Sequence, residues 1–147
     1  EADSLSPGIR LTGNRFQLGS LKPSNLGTTS ISGLISYADS AQLLDNILER
    51  NSTNSGPINR AIMVSGDRTE ISYNTISNAL NAIVLSGSRN VLKKNSLKLI
   101  SGVGIRIEKS SANTISQNSV TGLSDGTALF LNSSKIDKAS CIYFSMI

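Results

Sequence analysis

The sequence predicts an all-β parallel solenoid of about five coils, built as one domain over residues 1–147. Three observations carry that reading. An aliphatic-x-x-Asn-x-aliphatic unit recurs at Leu43-x-x-Asn46-x-Leu48, Ile71-x-x-Asn74-x-Ile76, Leu92-x-x-Asn95-x-Leu97 and Ile115-x-x-Asn118-x-Val120. A second unit, small-aliphatic-x-aliphatic, follows each one: Ala61-Ile62-x-Val64, Ala82-Ile83-x-Leu85, Gly104-Ile105-x-Ile107 and Ala128-Leu129-x-Leu131. The asparagines are 28, 21 and 23 residues apart (46→74→95→118). A period of roughly 22 residues fits two or three short strands per turn.

Each coil can be read in order from these units. The first is a weaker copy, with Gly8-Ile9-Arg10-Leu11, then Asn14 and Phe16, then Gly33-Leu34. The next four coils carry both units in full. A degenerate last copy starts at Ile136 and runs through Ala139 and Cys141. Within a strand, residues i and i+2 face the interior, so aliphatics stack on those of the coil below at about 4.8 Å. Leucine-rich repeats have a similar length but need a helix or a denser leucine pattern on one side. Gly, Ser and Asn are frequent and there are 3 prolines, which suits short strands joined by tight turns.

The recurring asparagine has a physical reason. Its side-chain amide both donates and accepts. Stacked in register, Asn46, Asn74, Asn95 and Asn118 can bond one to the next as a structural ladder that fixes coil register, with Asn14 extending it. An unpaired rung would cost roughly 1–3 kcal/mol.

The stretches "NTISQNSV" and "GIRIEKS" resemble right-handed parallel β-helix repeats. These occur in pectate-lyase-like enzymes, alginate epimerases, phage tailspikes and periplasmic copper-maturation proteins. The resemblance covers roughly residues 8–135 and implies a right-handed, single-stranded parallel β-helix. It also implies an extracellular, periplasmic or virion-associated setting. It does not carry over a catalytic motif: Asp-Pro-His, Asn-Thr-Asp, Asp-Asp and Gly-His-Gly are all missing from this sequence.

Composition narrows the chemistry. There is no histidine, which excludes histidine acid–base catalysis and histidine metal sites within the chain. The single cysteine, Cys141, excludes an intrachain disulfide and reads as a small apolar residue of the last coil. Net charge is +4, and aromatics are 4% with no Trp. The densest basic cluster is Lys93-Lys94-Lys98, with no aromatic near it in sequence, so no nucleic-acid partner is expected. No signal peptide or membrane span is present in these residues, and no membrane partner is expected. The start at Glu-Ala-Asp and the apolar end "CIYFSMI" read as marks of a piece of a longer protein or of a buried tail.

Three places could carry function. From ladder Asn to the next strand aliphatic, the later coils use 9, 10 and 11 residues (74→83, 95→105, 118→129), but the first two use 20 and 16 (14→34, 46→62). These long loops, 17–33 and 49–60, leave one corner and nominate Lys22, Glu49, Asn51, Asn54 and Arg60 for binding. Counting three residues past each strand stacks Asp39, Asp67, Ser88 and Ser110, with Arg68 and Arg89 beside them. Two carboxylates about 5 Å apart suit a glycosidase pair or a calcium site, so Asp39, Asp67, Arg68 and Arg89 are the catalytic candidates, and Asp39 and Asp67 the calcium candidates. Asp in a stacked turn bonding its own backbone is the plainer alternative. Last, the outward strand position reads Met63, Val84, Arg106, Phe130, an apolar stripe to be covered by the C-terminal tail or by sister subunits in a homotrimer.

The functional expectation is a polysaccharide-associated β-helix module that binds or presents a glycan, acidic ones included, within a larger secreted enzyme or tailspike. The alternatives are a lyase or hydrolase using carboxylates and Arg, and a purely structural or oligomerisation segment. No cofactor is expected other than calcium.

Overall fold

The computed structural model describes residues 10–18, 32–50, 58–132, 138–140 and 143–146. Its strands follow the repeat. The first coil has β1 (Arg10–Thr12), β2 (Arg15–Leu18) and β3 (Ser32–Ser36), and the second has β4 (Gln42–Leu44), β5 (Ile47–Arg50) and β6 (Ile58–Val64). The third has β7 (Glu70–Ser72) and the long β8 (Thr75–Leu85), and the fourth has β9 (Val91–Lys93) and β10 (Ser96–Glu108). The fifth has β11 (Thr114–Ser116), β12 (Ser119–Leu123) and β13 (Thr127–Asn132), and β14 (Lys138–Ser140) and β15 (Tyr143–Met146) follow.

All strand pairs are parallel and join successive coils, giving a right-handed parallel β-helix. The first face is the six-stranded ladder β1-β4-β7-β9-β11-β14. The second runs β2-β5-β8-β10-β12-β15, and the third β3-β6-β8-β10-β13, with β8 and β10 bending through both. Six passes on the first face slightly exceed the five coils read from the sequence, because β14 and β15 stack on β11 and β12 as a further partial coil. That stacking also corrects the tail expectation. Residues 138–140 and 143–146 continue the solenoid and do not fold back over the third face.

The interior consists of aliphatic columns. Leu43, Ile71, Leu92 and Ile115 stack on the first face, and Leu48, Ile76, Leu97 and Val120 on the second. Ile62, Ile83 and Ile105 stack on the third, beside Val64, Leu85 and Ile107. All of these side chains are buried. Strand alternation therefore places each i, i+2 aliphatic against its counterpart one coil away.

Corners are turned by single residues in the left-handed region. At the first corner, between first and second faces, these are Gly13, Asp45, Tyr73, Lys94 and Gln117, each immediately before a ladder asparagine. At the second corner they are Asn78, Leu99 and Gly122. At the third, which leads to the next coil, they are Ser40, Arg68, Arg89 and Ala112. A left-handed non-Gly residue costs roughly 1–2 kcal/mol. The cost is offset because the turned residue's N–H still reaches the next coil, as when Tyr73 donates to the Lys93 carbonyl at 3.1 Å.

Candidate functional site

The ladder asparagines point into the first corner. The Asn46, Asn74 and Asn95 side-chain amides donate to Oδ1 of Asn74, Asn95 and Asn118 at 3.0, 3.0 and 2.9 Å. The same acceptors take the backbone N–H of the preceding rung, and Asn14 adds a rung at 3.2 Å. Asn74 and Asn95 spend their second amide proton on the carbonyls of Leu43 and Ile71, and the Asn118 amide donates to that of Leu92. Every polar atom on these three side chains is thus engaged within the scaffold, leaving little for a ligand.

A second, shorter ladder lies at the third corner. Asn113 Oδ1 accepts the N–H of Asn90 at 2.9 Å, and Asn90 Oδ1 accepts that of Thr69 at 2.6 Å. Sequence reading missed it because the column runs Ala41, Thr69, Asn90, Asn113, with asparagine in two of four coils. The signal was present in the Asn-x-x-x-x-Asn spacing of 90/95 and 113/118.

The carboxylates occupy the same corner, one step before the turn. Asp39 Oδ1 accepts the N–H of Asp67 at 2.8 Å, Asp67 Oδ1 that of Ser88 at 2.7 Å, and Ser88 Oγ that of Ser111 at 3.1 Å. Ser111 therefore replaces Ser110 in this stack. The link between columns is seven residues at 64→71 and 85→92 but eight at 107→115, and the extra residue is taken up at Lys109, which has positive φ. Ser110 turns inward instead and accepts from the Asn113 amide at 3.0 Å. Arg68 lies 3.7 Å from Asp39, and Arg89 3.9 Å from Asp67, so each guanidinium pairs with the carboxylate one coil back. The four candidates are brought together as a staircase. One oxygen of each carboxylate holds the backbone, and the other faces an arginine.

The long connections start and end in register. Leu18 pairs with Arg50 where they leave the second face, and Ser32 with Arg60 where they rejoin the third. Glu49 stands on the second face and Arg60 on the third, whereas Lys22, Asn51 and Asn54 lie outside the described residues. The Arg60 guanidinium approaches the Met63 sulfur at 3.8 Å.

The outer surface of the second face is a grid of polar side chains. Outward positions read Asp45, Ile47, Glu49 in the second coil, Tyr73, Thr75, Ser77 in the third, Lys94, Ser96, Lys98 in the fourth and Gln117, Ser119, Thr121 in the fifth. Lys94 Nζ donates to the Tyr73 hydroxyl at 3.2 Å and lies 5.2 Å from the ring centroid. This corrects the reading that the lysine cluster has no aromatic. The partner is 21 residues away in sequence and one coil away in space.

The third cluster lysine is already engaged. Lys93 Nζ sits 2.9 Å from Glu70 Oε1. The bond to Lys93 is the main cause holding the Glu70 carboxyl below its ordinary 4.5, and the same bond holds Lys93 above 10.5. The Glu70 contribution is therefore present above about 4.5 and lost as pH falls through its lowered value. That of Lys93 is present below about 10.5 and lost as pH rises through its raised value.

On the third face, Ile35, Met63, Val84, Arg106 and Phe130 form one outward row. Arg106 lies 4.9 Å from the Phe130 ring and is bonded to Glu108 at 2.6 Å.

A family model described as "Periplasmic copper-binding protein (NosD)" matches residues 4–137. No curated protein and no solved structure matches the chain. The family so described is periplasmic, which agrees with the periplasmic option among the extracellular, periplasmic or virion-associated settings that the resemblance implied. Copper selects imidazole and soft sulfur donors. This chain has no histidine, one cysteine and two methionines, and Cys141 lies outside the described residues. Among the described residues no group of three or more His, Cys, Asp or Glu could hold a metal, and the Met63 sulfur faces a guanidinium. The described residues do not fit a copper centre.

Proposed function

The chain belongs to the NosD family, and on that premise we propose that it is a glycan-binding β-helix module without catalysis of its own. The observation that carries this reading is the shared corner of the two long connections. They leave at the stacked Leu18/Arg50 and return at the stacked Ser32/Arg60. Extra length added to successive repeats at one edge is how solenoids build binding surfaces. Polar grids on the adjoining outer surface offer the hydroxyl, amide and ammonium groups that sugars bond. The Asp39–Asp67 pair favours scaffolding over hydrolysis, since both carboxylates are tied to backbone N–H groups and arginines.

Affinity electrophoresis against neutral and acidic polysaccharides, with and without calcium, tests the reading, with product analysis in parallel. Retardation without chain shortening is the expected result. Chain shortening that disappears in Asp39→Ala with Asp67→Ala would establish an enzyme instead, and no retardation by any polysaccharide would remove the glycan reading. The exposed Ile35 and Phe130 at the two ends of the third-face row favour a second reading, association of copies through that face. Light scattering that returns a trimer, with no glycan bound, supports that one.

A further inference from the structure

We propose that the outer surface of the second face around Lys94, Ser96 and Lys98 is an anion-binding surface, and that its ligand is an acidic polysaccharide. This rests on the glycan reading above and names its substrate class and place. The first argument is charge. Arg68, Arg89, Lys93 and Arg106 are each matched by a carboxylate within the scaffold. Arg60, Lys94, Lys98 and Lys109 have no carboxylate partner among the described residues, and of these Lys94 and Lys98 share one face of one coil, both exposed. They occupy alternate outward positions either side of Ser96, so both ammonium groups and a hydroxyl serve one line across the face.

The second argument is shape. The neighbouring outward positions are Thr75 and Ser77 below and Ser119 and Thr121 above, short side chains that keep the surface flat. Tyr73, half exposed and held by Lys94, stands as an aromatic edge against which a sugar ring can pack. Alternate residues of a strand are about 6.6 Å apart, so an extended polymer crossing the face along the strand direction meets Lys94, Ser96 and Lys98 in turn. The third argument is a boundary. Asp45 occupies the Lys94 column in the second coil, where its carboxylate repels an anion and confines it to the third, fourth and fifth coils.

The test is affinity electrophoresis of the full chain with polygalacturonate, chondroitin sulfate and dextran, with single-stranded DNA as a competing polyanion. Both acidic polysaccharides are expected to bind, binding should weaken as salt rises, and dextran should bind less. Lys94→Ala with Lys98→Ala should weaken acidic binding about tenfold or more. The charge-matched control Lys93→Gln with Lys109→Gln should leave it close to the parent. Equal loss in both double variants would show a diffuse charge effect and overturn the assignment. Binding unaffected by Lys94→Ala with Lys98→Ala would overturn it while leaving the glycan reading in place. DNA bound as tightly as the polysaccharides, with the same dependence on Lys94 and Lys98, would move the surface to nucleic acid. No polysaccharide bound at all would remove both readings.

Discussion

Asn95 sits mid-ladder with every polar atom of its side chain bonded. Its amide donates to Asn118 and to the Ile71 carbonyl, and its Oδ1 accepts two protons from Asn74. Truncation to alanine strands the buried donors of Asn74 and the carbonyl of Ile71 together, so Asn95→Ala should cost about 3 kcal/mol in urea unfolding. Asn14, exposed at the ladder's end, should cost less than about 1 kcal/mol on the same change. Equal losses at the two positions would mean that the ladder adds nothing beyond local turn preference. This residue-scale feature was legible because asparagine recurs at one position of every repeat. The third-corner ladder was not, since Thr69 and Ala41 fill two of its positions, and the Tyr73–Lys94 contact could not be seen before register brought residues 21 apart together. Asn90 shows what an incomplete rung looks like. Its amide nitrogen is buried without a partner, because the residue three before it is Gly87 where Asn113 has Ser110.

At the scale of an element, the third corner explains why that position is glycine. A Cβ on Gly87 would lie 2.0 Å from the Gly66 carbonyl oxygen, and one on Gly66 would lie 2.0 Å from that of Ala38. Neither obstacle is a side chain that can swing away. Gly87→Ala should therefore force the coils apart locally and cost about 3 kcal/mol. Gly13→Ala meets no atom and should cost about 1–2 kcal/mol from its left-handed backbone alone. A Gly87→Ala protein as stable as the parent would show that the corner is softer than its stacking suggests. Strand positions were legible from alternation, and the corner insertions from unequal spacing. The eight-residue link at 107→115 was not read, because its extra residue looks in sequence like any other turn residue. The structure shows the cost of that reading at Ser110 and Ser111, whose roles are exchanged relative to a count made from the strand end.

For the whole molecule, a solenoid's stability is close to a sum over coils and their nearest-neighbour interfaces. Family membership describes this repeating scaffold, which explains how a chain without histidine can match a copper-binding family over most of its length. The same one-dimensional logic makes core positions unequal although their sequence pattern is identical. Ile83 is fully buried between Ile62 and Ile105, with coils on both sides. Leu131 continues the column of Val64, Leu85 and Ile107, yet it is 47% exposed, because among the described residues β13 is the last strand of the third face. Ile83→Ala opens a cavity that neighbouring coils cannot close and should cost about 3–4 kcal/mol. Leu131→Ala removes surface that water already reaches and should cost less than about 1 kcal/mol. Amide exchange should follow the same gradient, with β8 and β10 opening only at the free energy of global unfolding and β13 opening below it. Uniform protection from β6 to β13, or equal losses from the two alanine substitutions, would mean that the third face is capped in solution and that β13 is not its end.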